Sequence, residues 1–157
     1  MIQSIYSEKA RLQQLFGQLK EQANNAPLEL QHVYSNHVAL KTGGFLENST
    51  KAIFKEYRSR NSNPEISNYV QHQIARLNSL SCEKIAKLMQ AFLHDAKWEE
   101  IAKLCETADL EAVDSVKAIR DQVAHGKSNG SGITLTINYY ERVTHFVECM
   151  EITLVPE

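Results

Sequence analysis

The segment Arg120-Asp121-Gln122-Val123-Ala124-His125-Gly126 puts a permanent cation, a carboxylate and a group that titrates near neutrality close together at the end of one helical run. These residue types suit phosphate chemistry. Arginine presents a planar fork of donors to phosphate oxygens and stays charged at any working pH, while histidine takes or gives a proton near neutral pH. Asp121 stands four residues before His125 and can orient or electrostatically support the imidazole. RNA carries its own nucleophile, the 2′-hydroxyl. Cleavage therefore needs only deprotonation of that group, stabilisation of the crowded phosphate and protonation of the leaving 5′-oxygen, which Arg120 and His125 can supply without a metal. Geometry resists this reading, because positions 120 and 125 lie about 140° apart on an ideal helix. Arg120 must reach around, or the helix must loosen at Gly126. The plain alternative is two surface charges, with His125 a favourable cation at a helix C-terminus.

Around this segment, Lys117 precedes Arg120 by three residues and Lys127 follows His125 by two, so the site can be locally basic. Lys51, Lys55 and Arg58 share one helical face and could contact RNA phosphates, though a solvated helix face has the same composition. Tyr57, Tyr139 and Tyr140 can stack on bases, but the Ile137, Tyr140, Val143 spacing directs Tyr140 into a core. The chain has no Gly-rich phosphate loop, dinucleotide fingerprint, His-Glu-x-x-His or Gly-x-Ser-x-Gly motif. His32 and His37 are spaced poorly for joint metal ligation and read as structural or surface residues. Cys82, Cys105 and Cys149 form no Cys-x-x-Cys pair and read as reduced, buried thiols.

The elements that must position these residues are helical. Leu12, Leu15, Phe16 and Leu19 make a first amphipathic helix ending at Asn24-Asn25-Ala26-Pro27. A long second helix carries Leu30 through Tyr57, with Gly43-Gly44 predicting a weak or kinked middle and a close helix approach. Asn63-Pro64-Glu65 starts a third helix that runs to about Leu80. Ser81 caps a fourth, which resumes through Trp98, Ile101 and Cys105 after a short break. Asp109 caps a motif helix over about 109–126, with Gly126 as its C-terminal stop. The stretch from Lys127 to Gly132 reads as the most flexible of the chain, with Ile133 to Thr136 a short extended piece. A terminal helix follows over about 136–154. The expected fold class is all-α: one domain over 1–157, a bundle of about five or six helices.

Composition agrees with one folded unit. The 157 residues are 43% hydrophobic and 23% charged, enough to bury a core without disulfides or a structural metal. A formal charge of −2 argues against holding duplex nucleic acid by overall positive charge, so any nucleic-acid contact must be local. No apolar run approaches the roughly 20 residues that span a bilayer, and Ser4, Glu8 and Lys9 interrupt any signal-peptide core. The expected setting is cytoplasmic, without membrane association.

Residues 118–126, Ala-Ile-Arg-Asp-Gln-Val-Ala-His-Gly, resemble the Arg-x4–6-His signature of HEPN domains. Gly130-Ser131-Gly132-Ile133-Thr134-Leu135, leading into Tyr139-Tyr140, is similar to the loop and final helix of the RiboL-PSP-HEPN branch. Gly43-Gly44-Phe45-Leu46-Glu47-Asn48-Ser49, followed by Ile53-Phe54-Lys55-Glu56-Tyr57, is similar to that branch's second helix. The resemblance implies a HEPN-type helical bundle and, in active members, metal-independent endoribonuclease activity with no cofactor, in toxin–antitoxin or antiviral defence systems. It implies homodimers in which two copies of the motif face one cleft, single-stranded or tRNA-like RNA as substrate, and an antitoxin or other defence protein as partner. By position, Arg120 binds the scissile phosphate and His125 acts as acid/base or as a second phosphate ligand. Asp121 takes the polar place beside the arginine where many relatives carry Asn. Glu47, Asn48 and Tyr57 are candidates to support the site from behind. A non-catalytic HEPN module that binds RNA or nucleotide, or that serves as a dimerising partner, is the alternative.

Overall fold

The computed structural model describes residues 2–61, 64–93, 96–127 and 129–156. Among these lie seven α-helices and no strand: α1 (Gln3–Ala23), α2 (Leu28–Asn61), α3 (Pro64–Ala75), α4 (Cys82–Phe92), α5 (Ala96–Leu104), α6 (Thr107–Ala124) and α7 (Ile133–Leu154). The all-α expectation holds, with seven helices in place of five or six. The helical stretch carrying Trp98 and Ile101 is an element of its own, α5.

Amphipathic periodicity explains why the elements form. On α1, Ile5, Leu12 and Phe16 are buried, while Leu15 and Leu19 pack partly against the core. The edge of Phe16 meets the Tyr140 ring of α7 at 4.9 Å between centroids, and Phe45 of α2 approaches the same ring at 5.9 Å. The central pair is α2 and α7. Helices α1 and α6 pack against both, α3 rests on α2, α5 on α7, and α4 closes against α5 and α6. Among the described residues no helix is long and apolar enough to cross a membrane.

Boundaries differ from the sequence reading at four places. Helix α2 runs unbroken through Gly43-Gly44. Glycine in a helix costs about 1 kcal/mol relative to alanine, and complete burial of Val38, Ala39, Phe45 and Leu46 on either side offsets it. Helix α3 stops at Ala75, short of Leu80. Arg76 and Leu77 donate back to Gln73 and Ile74 in a tightened last turn, and Ser79 then takes a positive φ of 46°. Asn63, the expected cap of α3, lies outside the described residues.

Helix α6 begins one turn earlier than expected. Glu106 is its N-cap, and Asp109 sits three residues inside, accepting a 2.8 Å hydrogen bond from the Glu106 amide. Helix α7 likewise begins at Ile133, so the expected extended piece is its first turn, in which the Thr136 amide donates to the Gly132 carbonyl at 3.1 Å. The connection before it is tethered. Buried Asn129 donates to Asn36 Oδ1 at 3.2 Å and accepts from the Ser131 amide, and Ser35 of α2 donates to the Ser131 carbonyl at 2.6 Å. That is an anchored crossing over α2, where composition alone suggested the most flexible stretch.

Candidate functional site

Helix α6 carries Lys117, Arg120 and Asp121 on its last two turns and ends at Ala124. His125 is the C-cap, with φ −91° and ψ 13°, and Gly126 follows at φ +68°. The Gly126 amide donates to the Val123 carbonyl at 3.0 Å and the Lys127 amide to the Gln122 carbonyl at 2.8 Å. Together these two bonds make a Schellman closure, which requires the left-handed conformation that glycine adopts without strain. The helix thus terminates between Arg120 and His125 rather than carrying both on an ideal cylinder.

Arg120 reaches across to α2. A Cβ added at Gly43 would stand 3.4 Å from Arg120 Cδ and 3.6 Å from Val116 Cγ1, so the missing side chain leaves room for the arginine stem to lie over α2. Its guanidinium is ion-paired with Glu47, whose side chain is only 13% exposed against 30% for Arg120. Glu47 Oε1 also accepts from the Ser79 amide at 2.5 Å. Ser79 Oγ in turn donates to Asp121 Oδ1 at 3.0 Å, and Lys117 Nζ donates to Asp121 Oδ2 at 2.5 Å. Hydrogen bonds from Lys117 and Ser79 hold the Asp121 carboxyl below its ordinary value, with the Lys117 and His125 charges adding to the effect.

Among the described residues the His125 ring makes no hydrogen bond, and it is exposed. Asp121 therefore faces Ser79 and Lys117, and acts on His125 only through space. The structure brings Arg120, Asp121, Lys117, Glu47 and Ser79 into one network with His125 at its rim. Asn48 is turned away, donating to Glu8 of α1 at 3.3 Å, and Tyr57 packs partly against the core. Lys127 is exposed beyond the helix stop. Tyr140 is buried, and its hydroxyl donates to the Lys9 carbonyl at 2.9 Å. Lys51, Lys55 and Arg58 lie further along α2, lining a cleft of about 230 Å³ with Ala52, Gln71 and Ile74.

Two features escaped sequence reasoning. Ser79, in the α3–α4 connection, bridges Glu47 and Asp121, and its only local signal is a turn-type Asn78-Ser79 pair between helical runs. The second feature surrounds Asp109, which is fully buried and accepts from His145 Nδ1 at 2.6 Å and from Arg142 Nη1 at 3.4 Å. Burial pushes its carboxyl up, but the hydrogen bonds from His145, the Glu106 amide and Arg142 outweigh it and hold the group below its ordinary value.

The cysteines are free thiols, as expected; Cys149 is buried, while Cys82 and Cys105 are half-buried where buried thiols were expected. Burial, and then the Asp114 charge, push the Cys82 thiol up to about 12. Burial likewise raises Cys105 and Cys149, so none of the three is poised as a nucleophile. Among the described residues no group of three or more His, Cys, Asp or Glu is placed to hold a metal ion.

Comparison with protein-family models, with curated proteins and with solved structures returns no match to this chain.

Proposed function

We propose that the chain is a HEPN-type endoribonuclease that cleaves RNA at the Arg120–His125 site. The observation that carries this reading is Arg120 itself: a guanidinium drawn over Gly43, fixed by Glu47 and still 30% exposed, on the same helix end as an exposed histidine. A fixed, partly exposed guanidinium can meet a phosphate without first losing its own freedom. In the reaction, the 2′-oxygen attacks the adjacent phosphorus as its proton passes to a base, a His125 imidazole or solvent water. The phosphorus–O5′ bond breaks, and the departing oxygen takes a proton from the conjugate acid so formed or from solvent. Arg120 stabilises the charge on the phosphate oxygens, and His125 serves as acid/base or as a second phosphate ligand. Two copies of the motif facing one cleft complete the site in a homodimer, and a toxin or antiviral-defence role, with an antitoxin or other defence protein as partner, follows from the same family reading.

Replacing His125 with Ala, at an exposed position, is expected to abolish cleavage and leave the thermal unfolding profile unchanged. Wild-type products should carry a 2′,3′-cyclic phosphate and a 5′-hydroxyl, and cleavage should persist in EDTA. Undiminished cleavage by a clean His125→Ala preparation would sink the mechanism.

A second reading rests on the same ion pairs. The charges of Arg120 and Asp121 are both met within the chain, by Glu47 and Lys117, as they would be in a non-catalytic module that binds RNA or a partner. RNA binding that Arg120→Ala weakens, with no cleavage by the wild type, would select that module.

A further inference from the structure

Glu47, Lys51, Lys55 and Arg58 follow one another on α2 at intervals of four, four and three residues, within about 80° of one another around the helix. Glu47 grips Arg120, so α2 acts as a ruler from the candidate site. At about 1.5 Å per residue, Lys51, Lys55 and Arg58 stand about 6, 12 and 16 Å along the axis from that anchor. The facing wall follows the same line. Ser79 meets Glu47, and further on Ile74 and Gln71 of α3 line the cleft with the three cations.

The charges along this seam are poised for anions. Arg58 Nη1 donates to the Ser67 carbonyl at 3.1 Å and to Gln71 Oε1 at 2.9 Å, which fixes its guanidinium at the far end. Lys51 and Lys55 have no ion-pair partner among the described residues. Glu56, the nearest acid in sequence, is taken by Arg60 at 3.0 Å. In a chain of net charge −2, two neighbouring lysines on one cleft with no ion-pair partner among the described residues are a local exception. Ala52 and Ile74 give the cleft an apolar floor. At about 230 Å³ the cleft is sized for the backbone of one strand and is too small to take in a duplex.

We propose that the α2–α3 cleft is a track for the phosphates of single-stranded RNA flanking the bond at Arg120 and His125. The identity of its ligand rests on the ribonuclease reading. The strand runs along α2 from Arg120 past Lys51 and Lys55 to Arg58, and its phosphates replace the counterions of the lysines.

The test is binding of a 2′-O-methylated single-stranded 12-mer, which cannot be cleaved, over a range of salt concentrations, comparing wild type with Lys51→Gln/Lys55→Gln. Each phosphate contact on a single strand contributes about 0.7 to the slope of log affinity against log salt, so the double variant should bind more weakly with a slope shallower by about 1.4. Neither side chain has an ion-pair partner among the described residues, and an unchanged thermal midpoint verifies that the fold persists. A shallower slope with no cleavage of unmodified RNA keeps the track and sinks the nuclease reading. An unchanged slope alongside cleavage overturns the track alone, and absence of RNA binding by the wild type also overturns it. An equal loss of slope on a duplex of the same sequence would overturn the single-strand assignment.

Discussion

The residue with the most influence on the candidate site is Glu47, which meets both the Arg120 guanidinium and the Ser79 amide. A carboxylate with two donors has one low-energy orientation, and it passes that orientation to the arginine. Glu47→Ala is expected to lower the cleavage rate about a hundredfold, the scale of a misplacement of about 1 Å. The Michaelis constant should change far less, and Glu47→Gln, which can still accept from Ser79, should recover part of the loss. Equal rates in single-turnover assays of all three proteins would remove Glu47 from the site. Sequence made Arg120, Asp121 and His125 legible because their chemistry is carried by residue type at short spacing. It offered Glu47 and Asn48 on equal terms, and only the rotation of α2 separates them, sending one to α6 and the other to Glu8 of α1. Ser79 was not legible, because its role comes from a backbone amide placed by tertiary structure.

At the level of elements, α6 matters most for how it ends. The Schellman closure at Gly126 sets where the backbone of His125 leaves the helix. Any L-residue at φ +68° is strained, and nothing lies within 4 Å of a Cβ added there, so Gly126→Ala acts on the backbone alone. It should destabilise the fold by about 1 kcal/mol, measured as a shift of the denaturation midpoint. Cleavage should fall by more than that loss of folded protein explains, and a variant with wild-type stability would show that the turn is not constrained. Helix stripes, the start at Ser81 and the stop at Gly126 were legible because they depend on neighbours in sequence. The continuity of α2 and the early end of α3 were not. The first is decided by burial of Phe45 and Leu46, the second by the turn at Ser79. Asn129 misled for a related reason, since its polar neighbours suggest solvent while its side chain is buried against α2.

Across the whole molecule, the junction of α6 and α7 at Asp109 ties stability to pH. A carboxyl held below its ordinary value in the fold contributes stability that is complete above the unfolded-state value of about 3.9, and is lost as pH falls through the lower folded value. Unfolding free energy should therefore drop as pH is lowered from about 5 to 2, with Asp109→Asn flattening that dependence and costing about 1–3 kcal/mol at neutral pH. Denaturant titrations at several pH values measure both, and an identical pH dependence in the variant would discard the assignment. The all-α class was legible from periodicity and composition, whereas this junction was not, because Asp109 and His145 meet only once the helices pack. Ser79 extends the same logic to observation. Its amide touches Glu47 and its hydroxyl touches Asp121, so one backbone proton senses both acidic members of the network. In a heteronuclear spectrum, the Ser79 resonance is a built-in gauge of whether the guanidinium stays with Glu47 or moves onto a phosphate, readable without any turnover.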